Sequence, residues 1–155
     1  MATWRNSIAR VFRADERGQA IAELALLAPL MLVLVIGLIE LGRYANFSIE
    51  VANAARAGVQ YGAQNLVAAN DTAGMQNAAL ADAPDLSSTM TATAIHFCTC
   101  FNGATSTCQP ADCPGSHRLL YVQVDTSQTF NSMLHFPGVL NTLQVKGHAV
   151  MRVVQ

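Results

Sequence analysis

The distribution of apolar and polar positions divides the chain into two regimes. Residues 24–39 read LALLAPLMLVLVIGLI, sixteen positions without a charge, and widening the window to 20–41 admits only Glu23 and Glu40. A helix that is apolar on every side has no polar face to offer water, so it belongs inside a large protein or inside a bilayer. About 20 apolar residues cross a hydrocarbon core of roughly 30 Å, and too little chain follows to wrap such a helix. The pattern predicts a transmembrane helix over 19–43. A helical pattern continues over 44–70, where Ala54, Gly58 and Gly62 fall four apart; unbroken from Gln19 to Asn70 the helix would run about 78 Å at 1.5 Å per residue, a length that leaves room for a break. That ridge of small residues admits close contact, with another subunit or, the favoured expectation, with the chain's own sheet. Asn70-Asp71-Thr72 reads as a stop and restart, followed by a shorter helix to about Asp82 that Pro84 ends.

After Leu86 the period changes to two. Residues 90–101 (MTATAIHFCTCF), 119–130 (LLYVQVDTSQTF) and 143–154 (LQVKGHAVMRVV) each alternate as strands do. In the last, Leu143, Val145, Gly147, Ala149, Met151 and Val153 share one face. The segment NSMLHFPGVLN, with Pro137-Gly138 as punctuation, connects the second strand to the third. The expected fold class is α+β: a long N-terminal transmembrane helix continues into a stalk helix, which packs on a small antiparallel sheet with a disulfide-bearing loop. The corresponding organisation is a leader over 1–18, the span over 19–43, its continuation over 44–70 and a small outer domain over 71–155.

Charge fixes the orientation. Arg5, Arg10, Arg13 and Arg17 precede the apolar run, whereas only Arg43 and Arg56 lie soon after it. The positive-inside bias leaves the N-terminus in the cytoplasm and the rest outside, with Tyr44 and Phe47 at the aromatic belt. An ordinary cleaved secretory signal fits poorly, since an acidic residue stands at the entrance of the run and no compact A-x-A site closes it. The whole chain is 52% apolar and 12% charged, with formal net charge −1 and mean hydropathy +0.28. No basic stripe exists to neutralise phosphates, which argues against nucleic acid as a partner.

Four cysteines, Cys98, Cys100, Cys108 and Cys113, cluster on the side of the membrane where oxidation is the default. Cys98 and Cys100 are two apart on a strand and point the same way. Each is therefore expected to bond Cys108 or Cys113, leaving two connectivities open. His96 shares their face and His117 follows, so a zinc site of Cys₄ or Cys/His type is the competing arrangement, with free thiols a third. The spacing lacks the paired C-x₂-C knuckles of zinc sites. No nucleophile elbow, metalloprotease helix or phosphate-binding loop occurs, and Asp71, Asp82, Asp85, Asp112 and Asp125 are scattered without an acid/base spacing. His135 and His148 read as surface or strand residues rather than ligands. The expectation is a protein that is not an enzyme, with no cofactor and no metal.

The most informative residue is Glu23. The run Arg17-Gly18-Gln19-Ala20-Ile21-Ala22-Glu23 ends a basic leader in glycine and sets a carboxylate five residues later at the edge of hydrocarbon. Such a charge costs a few kcal/mol unless paired. The arrangement resembles the processing site of type IV prepilins, and the resemblance implies cleavage between Gly18 and Gln19. It further implies that the new α-amino group of Gln19 pairs with Glu23 of a neighbouring subunit, a head-to-tail contact that repeats into an open filament. Residues 17–63 resemble the TadE family in particular: besides Glu23 they carry Pro29 within the run, Glu40 and Gly42 near its end, and Asn53-Ala54-Ala55-Arg56-Ala57-Gly58 beyond. Pro29 would loosen the helix by removing one backbone hydrogen bond.

That family belongs to tight-adherence (Flp) pilus systems. The resemblance implies a pilin or pseudopilin acting in pilus assembly at the bacterial inner membrane. Its partners would be the lipid bilayer, a prepilin peptidase, other pilin-like subunits and the assembly machinery. Leu24 stands where major pilins of these systems carry tyrosine, and the chain is longer than such subunits, which favours a minor or accessory role. The rival reading is an uncleaved, signal-anchored extracytoplasmic binding module with a cysteine-rich loop.

Overall fold

The computed structural model describes residues 16–133 and 141–154. Residues 1–15 of the expected leader lie outside the described residues, as do His135, Pro137 and Gly138 of the expected connecting loop. The chain divides into two compact units, Met1–Gly42 and Arg43–Gln155. The elements are α1 (Glu16–Gly62), α2 (Leu66–Asn70), α3 (Thr72–Asp82), β1 (Thr91–Cys100), β2 (Thr105–Ser106), a 3-10 turn (Pro110–Asp112), β3 (Arg118–Asn131) and β4 (Thr142–Arg152). The architecture is α+β: a long apolar N-terminal helix, and a four-stranded antiparallel sheet of order β2-β1-β3-β4.

In the first unit no described residue of α1 is buried; Leu26 is 79% exposed and Leu38 70%. Among the described residues this is the helix long and apolar enough to cross a membrane. Pro29 is accommodated inside it, with no break in the helical assignment.

The second unit is built like a water-soluble domain. The part of α1 beyond Arg43 turns Val51, Ala54, Ala55 and Val59 inward, positions spaced as one face of a helix. These residues feed two clusters. One joins Val59 to Met75, Ala79, Ala94, Cys98, Leu120, Val122, Val124 and Val153; the other joins Val51 and Ala54 to Ala83, Met90, Phe130 and Val145. Thr126, buried at the centre of β3, donates its hydroxyl to the Val51 carbonyl at 2.7 Å and so ties helix to sheet. Among the described residues, no buried side-chain nitrogen or oxygen lacks a hydrogen-bond partner, as a packed interior requires.

Two local features differ from the sequence reading. The helical pattern expected to run to Asn70 stops at Gly62, and α2 begins at Leu66. The reason is Asn65, whose extended backbone and side-chain acceptor to Ala68 N at 2.9 Å cap a new helix. Asp71 does the same for α3, accepting from Gly74 N at 2.8 Å. On β4, Val145 and Gly147 are buried as alternation requires, as is Val153 just past its end, but Leu143 and Met151 remain exposed near the strand ends.

Candidate functional site

Four groups of residues carry the sequence expectations, and the structure places each. Gly18, Gln19 and Glu23 lie on the exposed first turns of α1. Glu23 stands four residues after Gln19, one helical turn on, and accepts a hydrogen bond from the Gln19 side-chain amide, Nε2 to Oε1 3.1 Å. A neutral amide satisfies one lone pair of the carboxylate without cancelling its charge. Pro29 is exposed on the same helix.

The small-residue ridge lies against the chain's own second unit. Ala54 is fully buried. A Cβ placed on Gly58 would come within 2.9 Å of the Met75 carbonyl oxygen and 3.0 Å of Val124 Cγ2. On Gly62 it would collide with Met75 and sit 3.3 Å from Val122 Cγ1. The ridge is thus the surface by which α1 approaches α3 and β3, closer than any side chain would allow.

All four cysteines are in disulfides, Cys98–Cys108 and Cys100–Cys113. This is one of the two connectivities left open above, and it occupies every sulfur that a zinc site would use. β1 fixes one partner of each bond, its register setting Cys98 opposite Ser106 and Cys100 opposite Arg118. The other partners are held by a carboxylate that the sequence reading passed over. Asp112 Oδ2 accepts from Thr107 Oγ1 (2.8 Å), Thr107 N (2.7 Å), Ser106 Oγ (3.0 Å) and Gln109 N (3.1 Å). The hydroxyl of Thr107 above all, with that of Ser106 and the two amides, holds the Asp112 carboxyl below its ordinary range, since hydrogen bonds to the charged form favour it. The signal in the sequence was a Ser-Thr pair five to six residues before an aspartate. His96 is exposed on β1, and His117 stacks on Phe101 with ring centroids 4.6 Å apart.

On the outer sheet face, His148 Nδ1 lies 2.6 Å from Asp125 Oδ1, while Gln123 Nε2 donates to Asp125 Oδ2 at 2.7 Å. These contacts, the one from Gln123 foremost, hold the Asp125 carboxyl below its ordinary value. The pair has the geometry of a base and its orienting carboxylate, but it sits on an open strand surface. Ser127, next along that face, donates instead to Gln144 Oε1 at 3.1 Å, so no hydroxyl relay is assembled there. Tyr61 donates to Asp71 Oδ2 at 2.9 Å, and the hydrogen bond to that carboxylate pushes the phenol up.

Residues 18–60 match the family model described as TadE-like protein. The N-terminal segment is TadE-like. The matched stretch spans the positions of Gly18, Gln19, Glu23, Pro29, Ala54 and Gly58. It stops before Gly62, and the sheet and both disulfides lie outside it. The TadE-like family is a structural, pilus-associated one rather than an enzymatic one. No curated protein and no solved structure matches the chain.

Proposed function

We propose that the protein is a membrane-inserted pilin-like subunit acting in assembly of a tight-adherence pilus. The single observation carrying this reading is the TadE-like helix itself: over residues 18–42 it is unburied on every side, and its apolar run 24–39 is bounded by two carboxylates, Glu23 at its start and Glu40 at its end. Lipid, or the packed helices of a fibre, are the surroundings that match such a surface. The leader over 1–18 stays cytoplasmic and the Arg43–Gln155 unit is extracytoplasmic. A prepilin peptidase cleaves after Gly18. The freed amine of Gln19 then supplies a neighbour's Glu23 with the positive partner that the Gln19 amide cannot.

Mass spectrometry of the chain purified from cell membranes tests the reading. A mature chain beginning at Gln19 is the expected result. Retention of residues 1–18 overturns it in favour of a signal-anchored binding module. Glu23→Ala, expressed in the same cells, should insert and be cleaved but fail to co-purify with other pilin-like subunits.

A further inference from the structure

Both outer strands of the sheet have an open side. In the order β2-β1-β3-β4, no strand among the described residues pairs with the far side of β4. β2 covers only Cys98 and Thr99 of β1, so residues 91–97 are open in the same way. β1 and β4 are each antiparallel to β3, and the two open edges therefore run in one direction.

Hydrogen bonds at the strand ends show which backbone groups these edges present. Alternate residues of a strand turn their N–H and C=O to opposite sides. Asn141 accepts from Ser132 N and Val153 N donates to the Leu120 carbonyl, each at 2.9 Å, so the odd-numbered residues of β4 serve β3. Val154 N turns the other way, to the Ala63 carbonyl at 3.2 Å. Gln144, Lys146, His148 and Val150 thus direct their backbone groups to the open side. At the end of β1, Phe101 N reaches the His117 carbonyl on the β3 side, whereas Cys100 N reaches the Ala104 carbonyl on the β2 side. By the same alternation Ala92, Ala94 and His96 face outward.

The side chains along the two edges are graded alike. On the outer sheet face Lys146, His148 and Val150 lie level with Thr91, Thr93 and Ile95, across Ser127, Asp125 and Gln123 of β3. Ile95 is 51% exposed and Val150 44%. A second copy set alongside in the same orientation, with no shift along the strands, brings Val150 opposite Ile95, His148 opposite Thr93 and Lys146 opposite Thr91. That register has the parity of a parallel ladder. Val150 falls between Ala94 and His96 of the next copy, donating to the first carbonyl and accepting from the second amide. A two-fold β4–β4 pair centred on Gly147 would instead set Val150 against Gln144. Lysine on an edge ordinarily discourages pairing, but in this register Lys146 meets a threonine rather than another cation.

We propose that the Arg43–Gln155 unit joins a second copy of itself edge to edge, β4 of one subunit lying parallel to β1 of the next. The contact uses two different edges, so it is head-to-tail and leaves a free edge at either end of a joined pair; it repeats rather than closes. It rests on the pilus-subunit reading in one respect, that neighbouring copies share an orientation. To that reading it adds a named partner surface outside the apolar helix.

The test uses the full chain in cell membranes, carrying Ile95→Cys and Val150→Cys together or singly. Within one copy these positions are two strands apart, about 10 Å at a strand spacing of roughly 4.8 Å, too far for a disulfide. Mild oxidation of the double variant should give a ladder of covalent dimers, trimers and larger species on a non-reducing gel. Peptide mass spectrometry should place each bond between the two introduced thiols. The two single variants made in the same cells should stop at dimers, and neither alone should cross-link. Monomers throughout, or dimers from Val150→Cys alone, overturn the edge contact. Adding His148→Pro removes an outward N–H and no hydrogen bond of β4 to β3, and should abolish the ladder. A ladder that persists marks chance collision of exposed thiols and overturns the contact too. The N-terminus of the same chains separates the two readings. A ladder formed by chains that retain residues 1–18 sustains the edge contact while overturning the pilus reading; cleaved chains without a ladder do the reverse.

Discussion

Within α1, residues 24–39 place leucine, valine and isoleucine on every side and bury none of them. Residues 51–62 instead put Val51, Ala54, Ala55, Gly58, Val59 and Gly62 on one face and bury or crowd them all. Both stretches are α-helix, yet they are held by different things. The second is stabilised by what it touches: a buried valine contributes about 1.5–3 kcal/mol, and the Thr126 hydroxyl adds a buried hydrogen bond. The first has no residue buried among the described ones, and under the proposed reading lipid or neighbouring helices supply its apolar contacts. The contrast teaches that apolar content alone does not separate a core helix from a lipid-facing one. One-sidedness does.

Four perturbations would break or sharpen that contrast. Removing one covalent link, as Cys100→Ser with Cys113→Ser, should destabilise the Arg43–Gln155 unit by about 2–4 kcal/mol. Thermal unfolding in detergent would show it as a lowered midpoint, with the helical signal of the apolar segment unchanged. Gly58→Leu should cost about 1–3 kcal/mol or more, because its first carbon already crowds the Met75 backbone. Gly37→Leu, where nothing lies within 4 Å, should leave the same transition unmoved. Thr126→Val keeps the shape and removes the donor to the Val51 carbonyl. It should cost about 1 kcal/mol in the same assay, as the Val51 carbonyl keeps its helical partner but loses a second, buried donor.

The smallest effect is electrostatic. Asp112 and Asp125 are held below their ordinary value of 3.8, so the unfolded chain binds protons at higher pH than the folded one does. Their contribution to stability is present above that value and lost as pH falls through the lower folded values. Asp112→Asn should flatten the decline of the unfolding midpoint with acid, and an unaltered slope would show that this carboxylate is not responsible.

Much of this was legible beforehand. The three long strands lie within two residues of their expected limits, because alternation at one-sided burial is a strong signal. The TadE-like segment was readable because a carboxylate at the entrance of an apolar run, five residues after a glycine that ends a basic leader, is a rare enough combination to carry information. β2 was missed because two residues have no period. A break before Asn70 was foreseeable from length alone, but its place after Gly62 was not, because neither Ala63 nor Gln64 opposes a helix and the deciding residue, Asn65, acts through a capping bond that spacing does not reveal. The choice between two cysteine pairings depended on where the backbone after β1 turns back, a three-dimensional matter. Phe130 looked like one more inward strand residue; that it grips Arg43, Tyr44 and Phe47 emerges only when strand and helix are brought together.

The knot at Asp112 has a consequence for maturation. Its oxygen gathers Ser106, Thr107 and Gln109, the residues on either side of Cys108, and Asp112 itself adjoins Cys113. Contacts over so few residues close at little entropic cost, so this stretch can take shape while the thiols are still reduced. If it does, an oxidant would meet Cys108 and Cys113 already fixed relative to each other. The carboxylate would then narrow the pairings open to four thiols while taking no part in the redox step itself.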